Sequence, residues 1–292
     1  MGNNENRYVS VGLFVVLLSF TAVSFSQNSG DCDLKFISHL VNTGDYTEAL
    51  FLIDSSRCSS GQLDDSLNYL KGWSLYSLKR LSSSSESLLK VSPTSEFYLK
   101  AHFFAAYNYT HIGEYDNSTD VLSKIDGKSE KILSLKNFEL AGISLLKGNN
   151  VLYDEYFTKI NKSLYELTES SDNIQKISWD LKNHKSRSPL LAGVLSAIIP
   201  GSGKFYAGKK GEGISSFIAT AGLGLVTWEN YRKNGISNFK TIAFGSAFAF
   251  SYVANIYGAV LRVNILETEY RDNVKNSILF NLHIPLRNTF DK

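Results

Sequence analysis

An uncharged apolar stretch near the C-terminus restricts the fold more than any other feature of the sequence. Residues 241–261 form a run of 21 residues without Asp, Glu, Lys or Arg, bounded by Lys240 and Arg262. A helix needs about 20 mainly apolar residues to cross the hydrocarbon core of a bilayer. The stretch therefore predicts a membrane-crossing helix, with a buried helical hairpin of a soluble protein as the alternative.

Two shorter apolar stretches precede it, at 189–199 and 214–228. Small residues recur at four-residue steps in the first and third stretches, and this spacing favours close packing of membrane helices, because lipid supplies no hydrophobic drive for their association. These residues are Gly193, Ala197 and Gly201, followed by Ala243, Ala247, Ser251, Asn255 and Ala259. We predict a small bundle of about three membrane helices over residues 188–263.

A glycine-rich turn joins the first two stretches. Its residues are Pro200, Gly201, Gly203, Lys204, Phe205, Tyr206 and Gly208, and Gly213 follows. This turn resembles that of the TM2-type membrane domain and of a related short module fused to tetratricopeptide-like regions in bacterial envelope proteins. Lys204 departs from the family pattern, which often has His or Arg there, and the third apolar stretch is an addition. The resemblance implies membrane residence and no agreed activity.

Residues 33–170 show helical periodicity with polar turns that recur. The aligned turns begin at Gly44, Lys79, Gly113 and Gly148, which are 35, 34 and 35 residues apart. A period of about 34 residues with a Gly-x-Tyr-x-x-Ala turn resembles the tetratricopeptide repeat, a pair of antiparallel helices. The turn residues that carry the resemblance are Gly44, Tyr46, Ala49, Gly113, Tyr115 and Gly148. Lys79 and Tyr153 depart from it, and an unrelated helical bundle is the alternative.

This repeat implies an all-α fold, in which a solenoid of helix pairs precedes the membrane bundle. Such solenoids present a concave groove that binds peptides or proteins. Aromatic side chains on the first helix of two units, Trp73, Tyr76, Phe103 and Tyr107, are the candidate groove residues. Ordinary core packing is the alternative for each of them.

The N-terminus has the pattern of a secretory signal peptide. Arg7 precedes an apolar run from Val11 to Phe25, and small residues precede Gln27. An uncleaved anchor is the alternative. Export favours a disulfide between Cys32 and Cys58, the two cysteines of the chain, and two inert thiols are the alternative.

The full division is a signal peptide at 1–26, repeats at 27–170, a polar and basic connecting helix at 171–187, the membrane module at 188–263 and a polar tail at 264–292. Within the tail, 278–285 fits a short strand or a surface segment. In the membrane module the hairpin geometry predicts two ion pairs, Glu229 with Arg187 and Arg262 with Glu212.

No catalytic, metal or cofactor site is predicted. The five histidines are scattered, without an i, i+4 pair or a cysteine pair to complete a zinc set. The run from Gly201 to Lys204 is not a phosphate loop, because Phe205 stands where that motif needs Ser or Thr. The near balance of 30 basic and 28 acidic residues argues against nucleic-acid binding.

These patterns predict a non-enzymatic adaptor of the bacterial envelope, whose repeats bind a protein or peptide and whose helical module contacts the lipid bilayer. We expect it to lie in the inner membrane with the repeats in the periplasm. An alternative is a membrane effector that assists protein insertion or transport under regulation by the repeats, and an enzyme with an unrecognised pattern is a third hypothesis.

Overall fold

The computed structural model describes residues 33–55, 62–126 and 129–290. These residues form helices, turns and irregular segments and no β-strand, which confirms the predicted all-α class. The chain divides into two compact units, with the boundary between Ala101 and His102. The predicted signal peptide and both cysteines, Cys32 and Cys58, lie outside the described residues, so the disulfide stays a prediction.

The first eight helices follow one another as four pairs. Their bounds are α1 Leu34–Thr43, α2 Tyr46–Ser55, α3 Gln62–Ser77, α4 Leu81–Leu88, α5 Tyr98–Ile112, α6 Tyr115–Ser123, α7 Glu130–Leu146 and α8 Asn150–Phe157. Side-chain caps begin several of them: Asp33, Ser129 and Asn149 each accept a hydrogen bond from the N–H group three residues on. Short polar residues are favoured there because they satisfy donors that have no partner within the helix.

The four turns have the same backbone conformation at the four positions aligned from the sequence. The φ angles are 92° at Gly44, 62° at Lys79, 89° at Gly113 and 71° at Gly148. In each turn the next residue donates its N–H to the carbonyl five residues back, over 2.8 to 2.9 Å. This is the hydrogen bond of a left-handed helix C-cap. Lys79 is the one non-glycine residue with positive φ in the described part of the chain.

Close contacts inside the pairs also recur with the sequence period. A Cβ atom at Gly72 would lie 2.5 Å from Leu88 Cγ, so α3 and α4 approach closely at that position. Ser84 Oγ donates to the Gly72 carbonyl over 2.7 Å, and Ser118 Oγ donates to the Ala106 carbonyl over 2.8 Å. Both bonds join residues 12 positions apart, one in the second pair and one in the third.

Five further helices complete the second unit: α9 Tyr165–Asn183, α10 Pro189–Ile198, α11 Ser202–Tyr206, α12 Lys210–Asn234 and α13 Phe239–Phe290. Ser188 caps α10, and Pro189 follows it at the first helical position, where the missing N–H costs nothing. The predicted connecting helix at 171–187 overlaps α9, on which Trp179 is exposed. Helix α13 packs against α7, α9, α10, α11 and α12.

Helix α13 runs without a break through 52 residues, so the third apolar stretch and residues 264–290 are one element. The short strand suggested for 278–285 is wrong. Ile278, Leu282 and Leu286 are fully buried there, and their four-residue spacing is that of one helix face. A Cβ atom at Gly142 of α7 would lie 2.5 Å from a Leu282 methyl group. The C-terminal end of α13 thus belongs to the core of the second unit.

Among the described residues, α13 is the one helix long and apolar enough to cross a membrane, judged by length and composition. Only 11% of its most apolar window is buried, whereas a core helix of a soluble protein is mostly buried. The ten residues of α10 extend about 15 Å, half of the bilayer core of about 30 Å.

Candidate functional site

An open cleft of about 610 Å³ lies in the first unit between α1, α3 and the start of α5. Its lining combines aromatic rings, aliphatic side chains and basic groups. The main lining residues are Leu34, Lys35, His39, Tyr69, Leu70, Trp73, Phe97 and Lys100. A concave surface of mixed apolar and polar character is the usual form of a ligand site.

Stacked aromatic rings form one wall of the cleft. The Tyr69 ring stacks on Phe97 with centroids 4.5 Å apart and planes at 8°, and the Trp73 ring lies 6.2 Å from Tyr69. Tyr69, Trp73 and Tyr76 occupy positions i, i+4 and i+7 of α3, which places them on one helix face. Tyr69 is 9% exposed and Tyr76 is 7% exposed, so the open apolar surface of this wall comes mainly from the partly exposed rings of Trp73 and Phe97. These rings are rigid, because aromatic side chains have few torsions to order on binding.

The charge at this cleft is positive. Lys100 Nζ lies 4.3 Å from the centroid of the Trp73 ring, within cation–π distance. Lys35 and His39 of α1 also line the cleft, and no carboxylate belongs to the described lining. A ligand with apolar side chains and a nearby acidic group is therefore complementary to the cleft.

The structure places the four candidate groove residues in different surroundings. Trp73 lines the cleft and is partly exposed, whereas Tyr76 is 7% exposed and packs 5.3 Å from the Trp73 ring in the core. Sequence reasoning missed Tyr69, which the i, i+4 spacing with Trp73 would have indicated. It also missed Phe97 and Lys100, whose approach to α3 depends on the tertiary structure.

The remaining candidates, Phe103 and Tyr107, belong to the second unit and are covered by the C-terminal end of α13. The His283 ring stacks on Tyr107 with centroids 4.9 Å apart, and the Phe290 ring lies 5.6 Å from Phe103. Phe103 is fully buried and Tyr107 is 7% exposed. This face is therefore occupied by the chain itself.

The residues of the repeat turns lie at helix ends, at helix starts or in the core. Gly44, Gly113 and Gly148 end helices, and Tyr46 and Tyr115 begin the helices that follow. Ala49 is fully buried in α2. These residues therefore mark the ends and starts of helices, and Ala49 lies in the core.

The glycine-rich turn between α10 and α12 packs its backbone unusually closely. A Cβ atom at Gly201, where φ is 88°, would lie 2.1 Å from the Gly213 carbonyl oxygen. At Gly203 it would lie 2.0 Å from the Ala192 carbonyl oxygen, and the Gly203 N–H donates to Ser196 Oγ over 3.0 Å. These glycines let α10, α11 and α12 meet through their backbones. Pro200 precedes them at the end of α10.

The other residues of this turn link it to neighbouring helices. Lys204 Nζ donates to Ser216 Oγ over 2.7 Å, and the Tyr206 hydroxyl accepts the Ser188 N–H over 3.0 Å. The Phe205 ring covers Gly213, where a Cβ atom would lie 2.5 Å from it. Gly208 has a φ of 81° and leaves space beside the Arg187 guanidinium.

One of the two predicted ion pairs is confirmed. Arg262 lies 3.1 Å from Glu212 and joins α13 to the start of α12. The pair between Glu229 and Arg187 is wrong, because Glu229 instead contacts Lys233 one turn further along its own helix, at 2.5 Å. The Arg187 guanidinium lies beside Gly208, just before the start of α12, whereas Glu229 lies near the opposite end of this 25-residue helix.

A polar junction that sequence reasoning missed lies where the end of α9 meets α13. Glu267 accepts the Arg187 N–H over 3.0 Å and lies 2.9 Å from His184 Nε2. The His184 ring stacks on Tyr270 with centroids 3.7 Å apart. The Arg187 N–H, and after it the His184 side chain, lower the pKa of the Glu267 carboxyl. Because about 80 residues separate the partners, no local pattern indicates them.

Within the described ranges, no group of three or more His, Cys, Asp or Glu side chains could hold a metal ion. Comparisons with protein-family models, with curated proteins and with solved structures find no match.

Proposed function

We propose that this protein is a non-enzymatic, membrane-anchored adaptor. Its helix pairs form a tetratricopeptide-like solenoid that binds a protein or peptide, and α13, with α10 to α12 packed around it, holds the chain in a bilayer. In this proposal the chain is exported, and the repeats lie in the periplasm beside the bacterial inner membrane.

The aromatic cleft of the first unit is the observation that carries the proposal. It combines exposed ring surface from Trp73 with basic groups and an open volume, which suits an extended or helical segment with apolar and acidic residues. The inner face of the second unit is filled by His283 and Phe290 of α13. The cleft is thus the open surface to which a partner would bind.

The apolar surface of α10, α12 and α13 supports the anchoring role. Large apolar side chains are exposed on all three helices, among them Leu190, Ile198, Ile218, Leu225, Phe250 and Val253, each at least 64% exposed. Soluble proteins rarely expose apolar patches of this extent without a partner or a membrane. A bilayer would cover these side chains at once.

A site-specific photocrosslinker tests the adaptor role in cells of the source organism. A full-length chain with the crosslinker at position 73 should give one dominant crosslinked protein, identified by mass spectrometry. The same crosslinker at Trp179, an exposed aromatic position on α9, is the matched control and should not give that product. Tyr69→Ala should reduce the yield at position 73 by about tenfold, as expected for loss of an aromatic anchor.

Equal products at positions 73 and 179, or a yield that Tyr69→Ala leaves unchanged, would contradict a binding role for the cleft. Removal of the repeats distinguishes the adaptor from the alternative, a membrane effector. A membrane effector keeps part of its activity without the repeats, whereas an adaptor loses all of it.

A further inference from the structure

A second cavity, of about 430 Å³, lies between α11, α12 and α13 and is lined mainly by polar and small side chains. Its polar lining residues are Lys204, Ser215, Ser216, Thr220, Ser251 and Asn255. Phe250 also lines it and is 79% exposed, so the cavity reaches the outer surface of the helices. Polar groups are costly beside lipid and commonly mark a functional site there.

Asn255 is the least explained of these residues. It is 5% exposed, and neither its Oδ1 nor its Nδ2 atom has a hydrogen-bond partner among the described residues. A buried amide without partners carries the full desolvation penalty of both its donor and its acceptor. The arrangement is stable at lower cost if a bound molecule supplies both an acceptor for Nδ2 and a donor for Oδ1.

Lys204 contributes a positive charge to the same cavity. Its side chain passes beside Gly258 of α13, where a Cβ atom would lie 3.6 Å from Lys204 Cε, and its Nζ reaches Ser216. No carboxylate lines the described cavity, and the nearby Glu212 pairs with Arg262. The ammonium retains donors for an anion.

The hydroxyl groups of Thr220 and Ser251 also line this cavity. Their oxygen atoms are 3.2 Å apart, across the contact between α12 and α13, and Thr220 is 1% exposed. Hydroxyl groups can donate or accept. The cavity thus carries a cation near α11, two adaptable hydroxyls and an amide that requires both a donor and an acceptor.

We propose that this cavity binds a phosphate ester that carries a free hydroxyl group. The phosphate accepts from Lys204 and the serine hydroxyls, and the ligand hydroxyl donates to Asn255 Oδ1. The headgroup of phosphatidylglycerol has this chemistry, and so has soluble glycerol phosphate. This site goes beyond the adaptor role and does not depend on the aromatic cleft.

Ligand titration of the full-length chain in mild detergent tests the site. The probes are short-chain phosphatidylglycerol, phosphatidylmethanol, which has the same charge without the hydroxyl, phosphatidylcholine, and soluble glycerol phosphate. We expect phosphatidylglycerol to bind about tenfold more tightly than phosphatidylmethanol, since one hydrogen bond to a buried group is worth about that factor. Phosphatidylcholine should bind more weakly than both.

Substitutions in the cavity test which side chains bind the lipid probes. Lys204→Met should lower the affinity for both anionic lipids by at least about tenfold. Lys209 is an exposed lysine on the same turn, and Lys209→Met should leave both affinities unchanged. Asn255→Leu should abolish the preference for the hydroxyl-bearing lipid. Thr220→Val, which is nearly isosteric, provides a second test if Asn255→Leu does not fold.

Stronger or equal binding of glycerol phosphate would support the same site with a soluble ligand, and lipid-specific binding would support a membrane lipid. The proposal is overturned if phosphatidylcholine binds as tightly as phosphatidylglycerol. It is equally overturned if no probe binds, or if Lys204→Met and Asn255→Leu behave like Lys209→Met.

Discussion

Lys79 has the left-handed conformation that glycine has in the other three aligned turns. A non-glycine residue pays about 1–2 kcal/mol for this conformation. The Lys79 ammonium lies 5.6 Å from the Tyr76 ring, a contact worth about 0.5 kcal/mol at an exposed site. The register of the turn is therefore set by the helices on either side, and the lysine adopts it under strain.

Lys79→Gly should stabilise the protein by about 0.5–1 kcal/mol, because glycine relieves the strain and loses only the weak ring contact. Chemical unfolding of the full-length chain in detergent measures this. Ser82→Gly, inside α4, is the control and should destabilise by a similar amount. A loss of stability in Lys79→Gly would show that the lysine side chain matters more than the backbone.

Substitutions at Gly203 and Gly222 distinguish the packing role of a glycine from the intrinsic effect of glycine on helix stability. A Cβ atom at Gly203 would meet the Ala192 carbonyl, whereas nothing lies within 4 Å of one at Gly222 in α12. Gly203→Ala should cost at least about 2 kcal/mol through overpacking, and Gly222→Ala should be neutral or stabilising. Thermal unfolding in detergent compares them, and equal effects would argue against backbone contact in the turn.

At the scale of elements, the two halves of α13 lie in different environments. Residues near Val253 are exposed on an apolar surface, and residues near Leu282 are buried against α7. One continuous helix therefore runs from the exposed apolar surface near α10 and α12 to the core beside α7 within the second unit.

Leu282→Ala should destabilise the second unit by about 2–5 kcal/mol, since it opens a cavity at a fully buried position. Phe280→Ala, two residues away and 64% exposed, is the matched control and should have little effect. Hydrogen exchange of the α7 amides reports the difference. If the two variants exchange alike, the C-terminal end of α13 does not contribute to that core.

The junction between the end of α9 and α13 should weaken in acid. The folded-state pKa of Glu267 is lowered, chiefly by the Arg187 N–H and also by His184. Its contribution is therefore complete above the unfolded pKa of about 4.3 and is lost as the pH falls through the folded-state pKa. The protection of the amides at residues 184–188 against hydrogen exchange, relative to the intrinsic exchange rate at each pH, should fall in that range.

Glu267→Gln is the control for this pH effect. It removes the titrating carboxylate, so the protection of the junction amides should already be lower at neutral pH and should change less in acid. The side chains of Asp180, Lys185, Glu269 and Tyr270 also surround the junction. A pH response that persists unchanged in Glu267→Gln would show that the Glu267 carboxylate does not carry it.

At the scale of the whole molecule, the uncharged apolar stretch of α13 at 241–261 determines the membrane location that we propose. Val253→Lys should reduce the membrane-bound fraction, because a lysine near the centre of a crossing helix costs about 2.5–3.5 kcal/mol in insertion. Asn238→Lys, just outside the helix, should not. Alkaline extraction of membranes followed by immunoblotting measures the fraction, and equal extraction of both variants would contradict a crossing α13.

Local patterns in the sequence predicted much of the fold and part of the site. The turns at Gly44, Gly113 and Gly148 were predictable because a left-handed cap needs glycine, and even Lys79 was located by the period. Trp73 was identified from its helix, but its partner Phe97 was not. Phe103 and Tyr107 looked equivalent to Trp73 in the sequence, and α13 covers them.

The sequence by itself determined the all-α class, the register of the turns and the position of the apolar helix, because helix caps and apolar runs are decided by residues close in the chain. The tertiary structure decided which aromatic face stays open, how Glu267 meets Arg187, and where the end of α13 packs. These contacts join residues tens of positions apart, and only the packing of complete helices brings them together.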